Sequence, residues 1–157
     1  MLDNDLIEVS EFPWSSPVIL VPKPDSTFRM CIDFRKLNSL SVTDCYPVPR
    51  VEDCIDKLGD AKFISKWDLL KGYWQVPSSE NSKQYTAFVT PDNLYQCKVM
   101  AFGLKNAPAV FMRLMNKVTE GLEYCSVFID DVGLVSNTWE DHVTRRSEER
   151  RVGKECR

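Results

Sequence analysis

The chain carries two hydrophobic patterns, one of period two and one of helical period. "SPVILVPK" (16–23) is a short apolar run between prolines that predicts a strand, and period-two alternation runs through "FRMCIDFRKL" (28–37). The turn-forming "PDST" between them predicts a β-hairpin. Alternation over 61–70 predicts a further strand, and residues 84–90 and 94–102 predict two more around a "PDN" turn. These segments favour antiparallel pairing, because short turns join antiparallel neighbours.

Apolar residues at helical spacing predict two helices. One covers 51–60 and ends near Gly59, and the other covers 106–123 with Asn106 as its N-cap. The order along the chain is hairpin, helix, strand, two strands, helix and a final hairpin. This order predicts an α+β domain in which helices pack on an antiparallel sheet.

Two adjacent carboxylates interrupt the last apolar segment. "YCSVFIDDVGLVS" (124–136) predicts two strands joined at Asp130 and Asp131. Aspartates are common in tight turns, so a turn role alone would explain the pair. The flanking "SVFI" and "VGLV" nevertheless require at least one buried face. Carboxylates held together at the rim of a core repel each other unless a cation joins them.

A third carboxylate strengthens the case for a metal site. Asp68 ends the strand predicted over 61–70, where capping of the strand end is the alternative role. Magnesium usually takes one or two protein carboxylates and leaves its other positions to phosphates and water. Three acids could hold two divalent ions, one activating an attacking hydroxyl and the other stabilising a leaving group.

Composition is that of a folded protein the size of one domain. Of the 157 residues 43% are hydrophobic, and no apolar run reaches the roughly 18 to 20 residues of a membrane helix. "MLDNDLIEVS" lacks the pattern of a secretion signal, and the six cysteines are scattered without a C-x-x-C pair. We therefore expect an intracellular protein with reduced thiols and neither a zinc site nor a disulfide framework.

Charge is distributed unevenly along the chain. The net charge is −3, although "TRRSEERRVGKECR" (144–157) holds six basic and three acidic residues. Within the acidic remainder, residues 23–36 carry four basic residues against two acidic ones. Such a strip is compatible with phosphate binding, and an ordinary solvated hairpin face would explain it as well.

Several motifs together resemble one family. "SPVILVPKPDSTFRMCIDFRKLN", "FISKWDLLKGYWQV", "YTAF", "MAFGLKNAPAVFMRLMN" and "VFIDDV" occur in the order and spacing of a retroelement reverse transcriptase. The sequence most resembles the gypsy class of long-terminal-repeat retrotransposons, over about residues 8–143. The resemblance implies an RNA-directed DNA polymerase, a nucleotidyltransferase with a right-hand fold. It also implies that this sequence represents fingers and palm, with the thumb expected to be absent.

The resemblance assigns residues to the metal site. Asp68 and Asp130 match the metal-binding aspartates of the family, and Asp131 matches their partner in the hairpin. The backbone carbonyl of Leu69 matches a further metal contact. The family's reaction uses two Mg²⁺ ions, with Mn²⁺ as a possible substitute. In it, a primer 3′-hydroxyl attacks the α-phosphate of a deoxynucleoside triphosphate.

The resemblance also assigns a nucleotide-binding group. Lys23 and Arg29 match fingers residues that hold the triphosphate, in agreement with the affinity of both side chains for phosphate. Tyr73 matches the aromatic residue that excludes a ribose 2′-hydroxyl, and a merely packed aromatic ring is the alternative. Phe102 and Gly103 match the start of the motif that lies against nucleotide and template. Phe102 could equally belong to the core.

Family anatomy divides the chain into alternating segments. The fingers would comprise residues 1–43 and 76–106, and the palm 44–75 and 107–143. Residues 144–157 are expected to form a disordered basic tail outside the family. The expected partners are a primed RNA or DNA template, deoxynucleoside triphosphates and the thumb and ribonuclease H parts of a parent polyprotein, with no membrane. The expected location is a cytoplasmic particle or the nucleus.

Four positions depart from the family pattern without removing a metal ligand: Phe128 replaces a Tyr, Pro24 a Lys, Met112 a Gln and Trp74 a His. Without a thumb, affinity for nucleic acid is expected to fall by orders of magnitude, because the family's thumb contributes many phosphate contacts. Two alternatives to an active polymerase core therefore stay open. One is a non-catalytic retroelement remnant with at most weak nucleic-acid binding, and the other is an α+β structural domain whose acids are turn residues.

Overall fold

Short strands and helices alternate along the chain. The computed structural model describes the backbone of residues 1–155 and the side chains of residues 1–57 and 59–147. The strands are β1 (Ile7–Val9), β2 (Val18–Pro22), β3 (Phe28–Ile32), β4 (Phe63–Asp68), β5 (Phe88–Val89), β6 (Leu94–Cys97), β7 (Cys125–Phe128) and β8 (Asp131–Ser136). The α-helices are α1 (Arg35–Leu40), α2 (Val51–Leu58), α3 (Glu80–Lys83), α4 (Ala107–Val118) and α5 (Trp139–Glu155), and 3₁₀ turns cover Gly72–Gln75 and Gln84–Thr86.

The strands of the described part form three antiparallel sheets. Their orders are β1-β6-β5, β2-β3 and β4-β8-β7. This confirms the predicted α+β class, with three small sheets in place of one. The predicted hairpin strand over 28–37 is too long, because β3 ends at Ile32 and α1 begins at Arg35. The Asp33 carboxylate accepts a hydrogen bond from the Arg35 backbone N–H at 3.0 Å, a local turn that redirects the chain.

The chain forms two compact units. The first unit comprises Met1–Asp44 with Lys71–Ala107, and the second unit comprises Cys45–Leu70 with Pro108–Arg157. The core of the first unit contains Ile7, Phe34, Phe88, Cys97 and Ala101. The buried apolar side chains of the second unit include Phe111, Met112, Met115, Val127, Val132 and Leu134. The assignment of these segments to fingers and palm stays a prediction.

The predicted helix over 106–123 is confirmed as α4, which is shorter and begins differently. Pro108 lies in its first turn, where a missing N–H is harmless. The Asn106 side chain, predicted to cap the helix, instead donates to the Val42 carbonyl at 2.8 Å and accepts from the Asp44 N–H at 3.0 Å. It therefore fixes the segment that follows α1.

The C-terminal segment differs from its prediction. Residues 144–155 continue α5, so the tail expected to be disordered is helical as far as Glu155, and residues 156 and 157 lie outside the described part. Arginine, glutamate and lysine are strong helix formers, and extending an existing helix requires no new nucleus. No helix in the described part of the chain is long and apolar enough to cross a membrane.

A buried histidine joins α5 to the sheet β4-β8-β7. His142 is only 4% exposed. Its Nε2 lies 2.8 Å from the Ser65 hydroxyl on β4, and its Nδ1 lies 2.7 Å from the Ser136 hydroxyl on β8. Both ring nitrogens are thus hydrogen-bonded, and one side chain links three elements of the second unit.

Replacing His142 with alanine is expected to destabilise the protein by about 2–4 kcal/mol. The substitution leaves the buried Ser136 hydroxyl without a ring partner and opens a cavity under α5. Urea denaturation followed by circular dichroism measures the change. Val143→Ala on the same helix is the matched control, because Val143 is 50% exposed. Equal losses in the two variants would contradict the role of the histidine.

Candidate metal centre and nucleotide-binding residues

The β7–β8 hairpin is closed by a two-residue loop. The strands pair as far as Phe128↔Asp131, which leaves Ile129 and Asp130 to form the turn. Ile129 has φ +52°, as the first position of a II′-type hairpin turn requires. A β-branched residue is strained in that region. Its N–H donates to the sulfur of the buried Met112 at 3.2 Å, and this contact helps to hold the turn.

The register of β4 on β8 brings the third carboxylate to this turn. Asp68 lies directly opposite Asp131 in the antiparallel ladder, and side chains in such positions have Cβ atoms about 4.5–5.5 Å apart. One residue further, the Leu69 N–H donates to the Asp130 carbonyl at 2.8 Å. The three aspartates predicted to bind metal therefore meet at one edge of the sheet β4-β8-β7.

Alternation along β4 places Asp68 on the open side of this sheet. The buried-side residues are Phe63, Ser65 and Trp67, and the exposed ones are Ile64, Lys66 and Asp68. This confirms the predicted division of the strand into two faces. On the partner strand β8, Val132 and Leu134 lie opposite Trp67 and Ser65 and are buried. The apolar face of the sheet thus fixes the position of the carboxylates on its open face.

Asp130 lies in an electrostatically unfavourable position. Its Oδ1 is buried and has no hydrogen-bond partner among the described residues. Burial raises the pKa of Asp130, and the charges of Asp68 and Asp131 raise it further. An orphaned carboxylate oxygen beside two other carboxylates suits a hard divalent cation, which prefers oxygen ligands and supplies compensating charge.

Lys66 is a further functional candidate, which the sequence patterns did not identify. Its Nζ lies 2.9 Å from Oδ2 of Asp131. Lys66 precedes Asp68 by two residues, so alternation places both on the same face of β4, and this spacing was the available signal. Among the described side chains, those of residues 1–57 and 59–147, no three His, Cys, Asp or Glu residues are arranged as a ready metal-binding group. The three carboxylates lie at the same end of the sheet β4-β8-β7, and the metal site stays a prediction.

The two basic residues of the predicted nucleotide group lie on the β2–β3 hairpin of the first unit. Arg29 lies opposite Val21 in the ladder. Lys23 follows β2, and its N–H donates to the Thr27 carbonyl at 2.8 Å, so the pairing continues to the turn. By strand alternation Lys23 and Arg29 lie on the same face of the hairpin, where one phosphate chain could contact both.

The other three residues of this group form a cluster, also in the first unit. Tyr73 is buried and its ring centroid lies 5.1 Å from that of Phe102, which is 47% exposed. The ring of Trp74 packs on Phe102 as well, at 5.8 Å. Gly103 has φ +90°, a conformation that only glycine adopts readily. The Tyr73 ring is therefore packed against its neighbours, and the exposed face of Phe102 remains available to a ligand.

Comparison with protein-family models gives a match over most of the chain. The model described as "Reverse transcriptase (RNA-dependent DNA polymerase)" matches residues 21–156. The match covers most of the chain and includes nearly all of the segment 144–157. The match thus extends into the segment that was expected to lie outside the family.

Curated relatives and solved structures agree with this match. The retrovirus-related Pol polyprotein from transposon 297 of Drosophila melanogaster is 39% identical over 150 residues, 91% of this chain and 14% of the relative. Polyprotein P3 of Commelina yellow mottle virus is 44% identical over 115 residues, 73% of this chain and 6% of the relative. A foamy viral protease–reverse transcriptase solved with double-stranded DNA superposes with a TM-score of 0.91 at 23% identity, over 99% of this chain and 27% of that chain. This last likeness shows a shared fold.

Asp130→Asn is expected to stabilise the metal-free protein above mildly acidic pH. Because the pKa of Asp130 is raised above its ordinary value of 3.8, the folded state binds this proton more tightly than the unfolded state. Stability contributed by this group therefore falls as the pH rises from about 4 through the raised pKa, and the loss is complete above it. Asp130→Asn has no titrating carboxyl at this position and therefore does not lose this stability as the pH rises. Thermal midpoints between pH 4 and 8 in a chelating buffer measure the difference.

The matched control for this experiment is Asp60→Asn, which neutralises an exposed carboxylate of the same unit. Its midpoint should follow the parent protein across the pH range. An Asp130→Asn profile parallel to that of the parent would contradict the unfavourable burial of the Asp130 charge.

Proposed function

Because the chain belongs to the reverse transcriptase (RNA-dependent DNA polymerase) family, we propose that it is the fingers-and-palm part of an RNA-directed DNA polymerase. We place it in the gypsy class of long-terminal-repeat retrotransposons. The Drosophila transposon relatives and the motif order support this class. The proposed reaction adds a deoxynucleotide to a primer 3′-hydroxyl and releases pyrophosphate.

One observation carries the proposal. Asp68 lies opposite Asp131, and the adjoining Asp130 carries a buried oxygen without a partner among the described residues. The turn of the β7–β8 hairpin and its contact with Leu69 hold these groups before any ligand arrives. A site that is already oriented stabilises charge developing in the transition state without reorganising.

The three aspartates would hold two Mg²⁺ ions, with Mn²⁺ as a substitute. Bound there, the ions would lower the pKa of the primer hydroxyl and neutralise charge on the leaving pyrophosphate. Asp68 and Asp130 would be the principal ligands, and Asp131 and the carbonyl of Leu69 would complete the set. Excess negative charge at Asp130 supports this assignment, because a divalent cation relieves it.

The nucleotide would be held by residues of the first unit. Lys23 and Arg29 share one face of the β2–β3 hairpin and would bind the triphosphate, with Arg29 able to do so bidentately. The buried ring of Tyr73 would exclude a ribose 2′-hydroxyl, and Phe102 and Gly103 would contact the nucleotide and the template. Close approach of the backbone at Gly103 is possible because no side chain intervenes.

The proposed partners are a primed RNA or DNA template and deoxynucleoside triphosphates. The chain spans 14% and 6% of the length of the two relatives described above. Both are polyproteins, so we propose that the thumb and ribonuclease H parts of a parent polyprotein complete the enzyme. Contacts from these parts would add the phosphate neutralisation on which affinity for nucleic acid depends.

A second candidate function is a non-catalytic remnant that binds nucleic acid weakly. Two observations favour it: Lys66 engages Asp131, and the described residues include no ready metal-binding group. In that case the chain would retain the family fold and lack turnover. Primer extension separates the two candidates.

Asp130→Asn is expected to reduce primer extension by at least about a hundredfold, because metal-assisted charge stabilisation contributes several kcal/mol. Extension of a labelled DNA primer on an RNA template is measured with Mg²⁺ and with Mn²⁺. Asp60→Asn is the control, since it removes an exposed charge of the same type. Absence of divalent-dependent extension by the parent chain at every protein concentration would favour the remnant.

Tyr73→Ala is expected to raise the use of ribonucleotides relative to deoxynucleotides by at least about tenfold, because the ring no longer fills the space of the 2′-hydroxyl. Tyr73→Phe keeps the ring and its packing on Phe102, and it should retain the discrimination of the parent. Parallel extension assays with each nucleotide class give the ratio. An unchanged ratio in Tyr73→Ala would assign Tyr73 to the core alone.

A further inference from the structure

Lys66 occupies a defined place on the open face of the second unit. In the ladder it lies opposite Gly133, and Asp131 is its diagonal neighbour on β8. Because Gly133 has no side chain, the stem of Lys66 can cross the strand toward Asp131. The ammonium nitrogen lies 2.9 Å from Oδ2 of Asp131, at side-chain exposures of 67% and 42%. This is a partly solvated ion pair built into the carboxylate cluster.

The ion pair divides the three carboxylates into two classes. Asp131 is neutralised by an ammonium, whereas the buried oxygen of Asp130 has no partner among the described residues. The cluster of three carboxylates and one ammonium carries a net charge of −2, which one divalent cation balances. An exposed ion pair is weak, so a divalent cation can displace the ammonium. The ammonium and the cation cannot both occupy the same side of one carboxylate oxygen.

We propose that Lys66 is a positioning residue that competes with a divalent cation for Asp131. The inference rests on the proposed function, because it concerns the same metal site. In the metal-free chain Lys66 neutralises Asp131 and relieves repulsion in the cluster. A first cation binds Asp68 and Asp130. Asp131 becomes a ligand only after the ion pair between Lys66 and Asp131 has broken. Lys66 therefore lowers the affinity of the free protein for divalent cations and makes Asp131 the last carboxylate to join.

The test measures Mn²⁺ binding to the full chain without primer or nucleotide, by electron paramagnetic resonance of the free ion. Lys66→Met is expected to bind Mn²⁺ about tenfold more tightly, the size expected for removing a unit charge near a divalent ion in a water-like dielectric. Lys66→Gln should show the same gain and replaces Lys66→Met if that variant does not fold. Lys66→Arg keeps the charge and should resemble the parent.

Lys62→Met is the matched control. Lys62 is exposed just before β4 and four residues from Lys66, about 13 Å along an extended strand. The Lys62→Met substitution removes the same charge from the same side of the strand at a distance where salt screens it. It should therefore change the Mn²⁺ affinity by less than about twofold at physiological salt. An equal gain in Lys62→Met would overturn the inference in favour of a general charge effect.

A second measurement addresses the route through Asp131. In an Asp131→Asn background, Lys66→Met should gain clearly less affinity than it does in the parent, because the contested ligand is absent. An unchanged gain overturns competition for Asp131. Two other outcomes overturn the inference. One is a Mn²⁺ affinity of Lys66→Met within about twofold of that of the parent, and the other is the absence of Mn²⁺ binding by every variant.

The outcomes distinguish this inference from the proposed function. If Lys66→Met gains affinity while the parent shows no primer extension, the competition stands and the polymerase proposal fails. If extension requires Asp130 while Lys66→Met shows no gain, the polymerase proposal stands and Lys66 is only a surface ion pair. Circular dichroism of each variant confirms that binding is compared between folded proteins.

Discussion

The candidate site depends on the antiparallel register of β4 on β8. This register places Asp68 opposite Asp131, and it also places Trp67 opposite the buried Val132. Since side chains alternate along a strand, a slip of one residue would exchange the two faces of β4. Hydrophobic packing on one side of the sheet therefore specifies the arrangement of charges on the other, and the carboxylates need not attract one another to meet.

The same arrangement is electrostatically unfavourable in the absence of a ligand. Asp130 carries a buried oxygen and a raised pKa, and Ile129 adopts a strained left-handed conformation beside it. Such local costs are typical of functional sites and persist because surrounding structure outweighs them. Here the opposing contributions are the buried core under the sheet, the contact of Met112 with the turn and the clamp of His142 on α5.

Local patterns in the sequence predicted much of the second unit. Alternation identified β4 and both its faces, and the apolar segments on either side of Asp130 identified the β7–β8 hairpin. Such local patterns do not show which strands pair when the strands are far apart in the sequence. The ion pair of Lys66 with Asp131 follows from register, so it could be found only once β4 and β8 were aligned. The motif resemblance supplied the expectation that Asp68 joins the hairpin, which spacing alone does not give.

Other features were missed because two tendencies competed. The segment 144–155 is polar and without amphipathic periodicity, which favoured disorder, yet its residues are good helix formers attached to a docked helix. Asn106 suits a helix N-cap, and the neighbouring backbone of Val42 and Asp44 uses its side chain instead. At Asn106 tertiary context decided between two locally acceptable states, and in 144–155 helix propensity outweighed the lack of periodicity.

The two-residue loop between β7 and β8 restricts which changes this chain can accumulate. Position 129 can accept other residues as long as they adopt the positive φ of the turn. An inserted or deleted residue there would displace Asp130 from the other two carboxylates, because Asp130 lies in the turn, whereas the β4–β8 register keeps Asp131 opposite Asp68. Descendants of this sequence should therefore vary in composition at the turn and remain constant in its length.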